Sequence, residues 1–324
     1  MDKLTHFIHI IDEEIQKRPF NKEPQQLYQP LNYTLGLGGK RIRPALLLLA
    51  NDLFGGKQAL AIDAAIAIEI FHNFTLIHDD IMDNAPIRRG HPTVFKKWNV
   101  NTAILSGDVM LVESYKLIST CESVVLPEVL KTFNKMAAEV CEGQQYDMNF
   151  ETQQNITIDD YLKMIELKTA VLLGASLRIG ALIAKASVTD VNHIYAFGQN
   201  IGIAFQLMDD LLDVYGNPEK FGKQVGGDII SNKKTYLLLK AKELAKNELK
   251  KELEFCLSSK TLSPENKVNR VKAIYSQLKI KELTMNEMNH FYNTAIAHLD
   301  SIEVPNEKKL VFEQFAKGLM QREY

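Results

Sequence analysis

The sequence predicts an all-α fold. Apolar residues recur at three- and four-residue spacing along almost the whole chain, runs alternating Val, Ile, Thr and Tyr with polar residues are missing, and the breaks are short. Taken in order, the breaks fall at Arg18-Pro19, Gly36-Leu37-Gly38-Gly39, Gly55-Gly56, Asn84-Ala85-Pro86, Gly216-Asn217-Pro218, Gly226-Gly227, Leu262-Ser263-Pro264 and Val304-Pro305. They delimit about ten to twelve helices. Three stretches, Gln58 to Asp83, Thr157 to Lys185 and Asp190 to Tyr215, are apolar around most of their circumference, as interior helices are. From Ala241 onward Lys and Glu are more frequent, which suits outer, solvated helices. With no Pro/Gly/Ser linker, low-complexity tract or repeat, the reading is a single domain over residues 1–324.

Composition narrows the partners. The 324 residues carry 38 Lys+Arg against 40 Asp+Glu, a net charge of -2, so no basic face for nucleic acid is indicated. Cys121, Cys141 and Cys256 are scattered, with no CxxC pair and no His at metal-ligand spacing; reduced core thiols in the cytoplasm are expected. The N-terminal MDKLTHFIHIIDEE has neither an h-region nor a cleavage site, so no signal peptide is read. The apolar stretch Thr169 to Ala184 is interrupted by Arg178 and falls short of the ~20 residues of a span, so no membrane insertion is expected.

Two segments carry the chemistry. His78-Asp79-Asp80-Ile81-Met82-Asp83 and Leu207-Met208-Asp209-Asp210-Leu211-Leu212-Asp213 each place DDxxD among apolar residues. On a helix the first and last Asp share a face and repel. Asn84-Ala85-Pro86 and Gly216-Asn217-Pro218 follow at once, so each triplet sits near a helix C-terminus, where the macrodipole is already negative. A bound divalent cation removes that penalty, and an all-carboxylate set suits Mg²⁺. A single such triplet would also suit a solvated acidic helix end; the repetition argues for function.

Cations accompany the acids. Gly38-Gly39-Lys40-Arg41-Ile42-Arg43-Pro44 forms a glycine-rich turn into a helix, with Pro44 placed at the first helical position and three cations ready for an anion. Arg88-Arg89-Gly90-His91-Pro92-Thr93 follows the first triplet, and adjacent arginines can grip two different phosphates. Gly222-Lys223-Gln224-Val225-Gly226-Gly227-Asp228 and Lys233-Lys234-Thr235 follow the second. Lys168-Thr169-Ala170 and Gln206 are weaker signals, and His72 and His78 alone would read as core histidines.

Together these segments resemble the trans-isoprenyl diphosphate synthases, the polyprenyl synthetase family. The resemblance rests on GGKRIRP (Gly38 to Pro44), HDDIMDNAPIRRGHPT (His78 to Thr93), GQQYD (Gly143 to Asp147), LKTA (Leu167 to Ala170), FQLMDDLLD (Phe205 to Asp213) and GKQVGGD (Gly222 to Asp228), over nearly the whole chain. It implies an isoprenoid synthase fold, one large helical bundle around a deep central cavity, as a homodimer with three Mg²⁺ per active site. Asp79, Asp83 and Asp209 would be the principal metal ligands, supported by Asp80, Asp210 and Asp213. Arg88, Lys168 and Lys223, with Lys233 nearby, would clamp an allylic diphosphate. Lys40, Arg43, His72 and Arg89 would hold isopentenyl diphosphate. Lys168, Thr169 and Gln206 would face a developing cation. The implied reaction is ionisation of the allylic diphosphate, addition of isopentenyl diphosphate and loss of a proton to the departed diphosphate.

Product length is partly legible. Phe74 and Phe71 stand five and eight residues before Asp79, ~7.5 and ~12 Å along the helix axis, and share a face. In the family a bulky residue at the fifth position goes with short products. Thr75 at the fourth position, and the absence of a two-residue insertion in the first motif, favour geranylgeranyl over farnesyl diphosphate. A class I terpene cyclase shares the fold, but its second motif is of Asn/Ser/Glu type. A non-catalytic subunit of a heteromeric synthase would tend to lose acids that are intact here.

Overall fold

The structure, a computed structural model, describes residues 2–216 and 226–321. The helices are α1 (Asp2–Gln16), α2 (Gln25–Gly36), α3 (Ile42–Leu53), α4 (Gln58–Met82), α5 (Val94–Lys97), α6 (Val100–Ile118), α7 (Leu126–Thr152), α8 (Ile158–Ile165), α9 (Val171–Ile183), α10 (Val188–Tyr215), α11 (Gly227–Ile230), α12 (Tyr236–Leu244), α13 (Asn247–Ser258), α14 (Pro264–Gln277), α15 (Ile280–Asp300) and α16 (Asn306–Met320). The only strands among the described residues, β1 (Ile87–Arg88) and β2 (His91–Pro92), form an antiparallel hairpin. The all-α expectation therefore holds, with more helices than the ten to twelve read from the breaks. The additional ends lack glycine. Lys185 (φ 60°) and Lys279 (φ 54°) turn left-handed between helices, and Asn99, Thr157 and Thr235 cap helix starts with their side chains.

The chain groups into two compact units. The first comprises Met1–Met136, Leu173–Tyr195 and Ser301–Val311. At its centre α4 packs on α6 and α3, with α1 against α3 and α2 against α6. The run Ala45, Leu46, Leu47, Leu48, Leu49, Ala50 is at most 1% exposed, as its unbroken apolarity demands. Among the described residues α4 is the one helix long and apolar enough to cross a membrane, and 67% of its most apolar window is buried inside the protein. It is a core helix. The stretch Thr169 to Ala184, singled out by composition, instead ends in α9, 13 residues long.

The second unit comprises Ala137–Leu172, Ala196–Asp300 and Phe312–Tyr324. Its core joins Tyr161 of α8, Leu207 and Leu211 of α10, Leu237 of α12, Cys256 of α13 and Ile274 and Tyr275 of α14. The Lys- and Glu-rich C-terminal region is thus solvated on one side only. Cys121 and Cys256 are buried free thiols, whereas Cys141 is exposed and is no core residue.

Candidate active site

The first acid motif closes α4. Asp83 is the C-cap, its N–H donating to Asp79 O at 2.8 Å, and Asn84 turns left-handed at φ 49°. The chain then folds back. Thr93 Oγ1 donates to Ala85 O at 2.8 Å and the hairpin returns Arg88 over the aspartates. Arg88 Nε and Nη2 both lie 2.7 Å from Asp80 Oδ1, and Nη2 lies 3.5 Å from Asp79 Oδ2. Asp80 is only 4% exposed. Burial raises its carboxyl above the usual range and Arg88 opposes the shift. Asp79 is half-buried and Asp83 exposed, so the two acids one turn apart are the more open pair.

Arg89 takes the opposite direction. Its Nη1 donates to Gly38 O, and its guanidinium lies over Gly39, whose φ of 148° favours glycine. The adjacent arginines do part, one toward the acid motif and one toward the glycine turn. Pro44 is the third residue of α3, not the first, because the helix starts at Ile42 after Arg41 as N-cap. Arg41 is also no anion ligand: its side chain is 2% exposed and bonds to Asp12 at 2.9 Å, Glu69 at 2.6 Å and Leu35 O at 2.6 Å. Lys40 is exposed on one side of it. On the other, Arg43 Nη1 lies 3.2 Å from His72 Nε2. Arginine can only donate, so Nε2 accepts and the imidazole is neutral with its hydrogen on Nδ1. Desolvation, with Arg43, Arg89, Arg88 and Arg41 around it, holds His72 well below the usual imidazole range.

In the second unit Asp210 is also 4% exposed, but among the described residues no arginine bonds to it. Tyr161 OH donates to its Oδ2, and Gln206 Nε2 donates to Oδ1 at 3.4 Å. Thr169 Oγ1 in turn donates to Gln206 Oε1 at 3.4 Å, which fixes the amide's orientation. Burial, then Asp228, push Asp210 up to about 7 against Tyr161, Lys233 and Gln206. Asp213 Oδ1 accepts the Asp228 N–H at 3.0 Å, and Asp209 is half-buried. Lys223 lies outside the described residues. Lys233 is exposed, but Lys234 donates to Phe150 O and Glu151 O and caps α7, so it is structural.

Lys168 and Thr169 stand on a π-turn, Glu166–Ala170, between α8 and α9. A Cβ at Gly143 would come 2.2 Å from Lys168 N, so α7 reaches this turn only through a glycine. One helical turn further along α7, Asp147 Oδ2 takes the Lys168 ammonium at 2.5 Å.

A family model described as Polyprenyl synthetase matches residues 24–278. The chain belongs to the polyprenyl synthetase family. A geranylgeranyl diphosphate synthase of Methanosarcina mazei is 42% identical over 245 residues, 75% of this chain and 76% of its own. That of Sulfolobus acidocaldarius is 38% identical over 306 residues, 92% of each chain. A solved structure described as geranylgeranyl pyrophosphate synthase matches the whole of both chains at 42% identity with a TM-score of 0.94.

For a polyprenyl synthetase the donor set fits a hard cation. Asp79 and Asp83 in the first unit, and Asp209 and Asp213 in the second, each offer carboxylate oxygens alone. Among the described residues no three or more His, Cys, Asp or Glu gather into a cage. Mg²⁺ needs none, since one or two carboxylates with phosphate oxygens and waters complete its shell.

The aromatic pair of α4 continues into a ladder within the first unit. Phe74 meets His78 at 4.9 Å between ring centroids and Phe71 at 5.5 Å; Phe71 meets Phe133 at 5.4 Å, and Phe133 meets Tyr115 at 5.0 Å. Phe71 is wholly buried and Phe74 8% exposed, so Phe74 is the rung nearer the surface.

Sequence reasoning missed Glu69, Asp147 and Tyr161 as partners of site residues. Two of them had a signal: Asp147 closes the GQQYD segment, and Glu69 is the only acid between Asp63 and Asp79.

Proposed function

We propose that the chain is a short-chain prenyltransferase that condenses isopentenyl diphosphate with dimethylallyl, geranyl or farnesyl diphosphate, giving mainly geranylgeranyl diphosphate. The observation that carries this reading is the parting of Arg88 and Arg89, which supports two anion subsites. One, at Arg88 beside Asp79 and Asp80, suits an ionising diphosphate; the other, among Lys40, Arg43, His72 and Arg89, suits one that stays attached. A cyclase has no use for the second.

Mg²⁺, three per site, would be held by Asp79, Asp83, Asp209 and Asp213 with Asp80 and Asp210 behind them, and would stabilise charge on the departing diphosphate. Arg88 and Lys168, each now held by carboxylates, would exchange these for diphosphate oxygens, joined by Lys233 and Lys223. The Thr169 and Gln206 dipoles would border the allylic cation, and apolar walls would keep water from it. Neutral His72 can donate from Nδ1 to isopentenyl diphosphate while accepting from Arg43. Phe74, backed by Phe71, would end the product cavity.

We further take residues 1–324 as one domain, since the family match runs through both units. A cytoplasmic homodimer fits exposed Ile104, Leu105 and Val112 along one side of α6. Supplying Mg²⁺, isopentenyl diphosphate and each allylic starter, then sizing the dephosphorylated product, tests the reading. Twenty-carbon alcohol is expected, and no prenyl product from any starter would refute it. Phe74→Ala should lengthen the product by at least one five-carbon unit in the same assay.

A further inference from the structure

The turn carrying Lys40 and Arg43 is bent around a buried charge. Arg41 adopts φ 45°, a left-handed conformation that an L-residue with a long side chain rarely takes. The bend sends Arg41 inward, while Lys40 is exposed and Arg43 is half-buried beside His72. What holds it is Glu69, 2% exposed at the middle of α4, whose Oε1 accepts from Arg41 Nη1 at 2.6 Å. Asn73, wholly buried one turn later, donates to Glu69 O at 2.8 Å and to Oε1 at 3.0 Å, which fixes the carboxylate's rotamer. Asp12 of α1 and Leu35 O of α2 complete the grip, so three elements converge on one guanidinium. Glu69 also stands three residues before His72, on the same face of α4. One helix thus supplies the imidazole that meets Arg43 and the carboxylate that anchors the turn bearing Arg43.

We propose that Glu69 is a positioning residue for the isopentenyl diphosphate subsite: acting through Arg41, it sets the backbone from which Lys40 and Arg43 reach the anion beside His72 and Arg89. The inference rests on the assignment of those four residues to that diphosphate. A buried ion pair gives little net stability compared with an apolar pair of the same volume, but its geometry is specific, and removal of one partner leaves a charge uncompensated. Here that geometry controls only one of the two anion subsites, since Arg88 is placed by Asp79 and Asp80 instead.

The test is a comparison of wild type, Glu69→Gln and Asp12→Asn by KM for each substrate, kcat, calorimetric binding of isopentenyl diphosphate, and Tm. Glu69→Gln should raise KM for isopentenyl diphosphate, and weaken its binding, about ten-fold, while KM for the allylic diphosphate and kcat at saturation stay within about two-fold. Asp12 is 39% exposed, so Asp12→Asn should fold regardless and give a smaller shift, about two- to three-fold, in the same single constant. Both KM values rising together as Tm falls would mean a merely structural pair and would overturn the proposal. So would an unchanged KM for isopentenyl diphosphate in either folded variant. Product formation by wild type without calorimetric binding at this subsite would remove the assignment on which the inference rests.

Discussion

The two DDxxD segments are near-copies in sequence, yet their middle carboxylates are buried by different means. Asp80 and Asp210 are each 4% exposed. Asp80 answers a full positive charge, Arg88; Asp210 answers the neutral donors Tyr161 and Gln206 and stands near the further acid Asp228. Burial raises both carboxyls; Arg88 opposes the shift at Asp80, whereas at Asp210 the neighbouring acid Asp228 adds to it. The first motif is therefore braced by charge, and the second holds an acid poised near neutrality.

Four measurements would break or sharpen that contrast. The largest effect should be common to both halves: Asp79→Ala and Asp209→Ala should each lower kcat by about 10²–10³ or more, the scale of losing one electrostatic stabiliser of a developing charge. A fall confined to Asp79→Ala would leave the second motif without a catalytic part. Next, Arg88→Ala should destabilise by about 2–3 kcal/mol in urea unfolding, because it leaves Asp80 buried and unmatched; the partial exposure of Arg88 keeps this below the 3–5 kcal/mol of a fully buried pair. Asp80→Asn in that background should recover part of the loss. Tyr161→Phe should cost less, about 1–2 kcal/mol, since one hydrogen bond to the buried Asp210 carboxyl is lost. If its cost matched that of Arg88→Ala, the distinction between charged and neutral bracing would fail.

The smallest effect is in pH. Asp210 is raised from 3.8 to about 7, so the folded state binds its proton more tightly than the unfolded chain. Its contribution to stability is fully present below 3.8 and is lost as pH rises through about 7. Metal-free wild type should thus lose stability between about pH 4 and pH 7 relative to Asp210→Asn, in which that slope is absent. Parallel curves would show that Asp210 is ionised throughout.

Much of the fold was legible in the sequence. The DDxxD triplets fall at the ends of α4 and α10, as Asn84-Ala85-Pro86 and Gly216 indicated, because helix stops made by Gly, Pro and Asn are local chemistry. Stops made by Lys185 and Lys279 were not legible, since their left-handed backbone is imposed by packing rather than chosen by the residue. The cationic segments were legible in the sequence, but the direction taken by each side chain within them was not. Arg41 and Lys234 carry the same charge as their neighbours Lys40 and Lys233, and only the fold decides that they turn toward Glu69 and the end of α7. Tyr161 gave no signal because a lone tyrosine on a helix has dozens of ordinary uses, and GQQYD marked Asp147 without indicating its partner.

The π-turn at Glu166–Ala170 places a demand of another kind on the chain. An α-helix advances 100° per residue, and a π-turn absorbs one residue more than an α-turn would. Removing a single residue there would restore a regular helix and swing everything before the cut by about 100° about the axis. Tyr161 would leave Asp210 and Lys168 would leave Asp147, although no side chain had been altered. In this segment the count of residues is itself under constraint, and a one-codon deletion should be harsher than most substitutions.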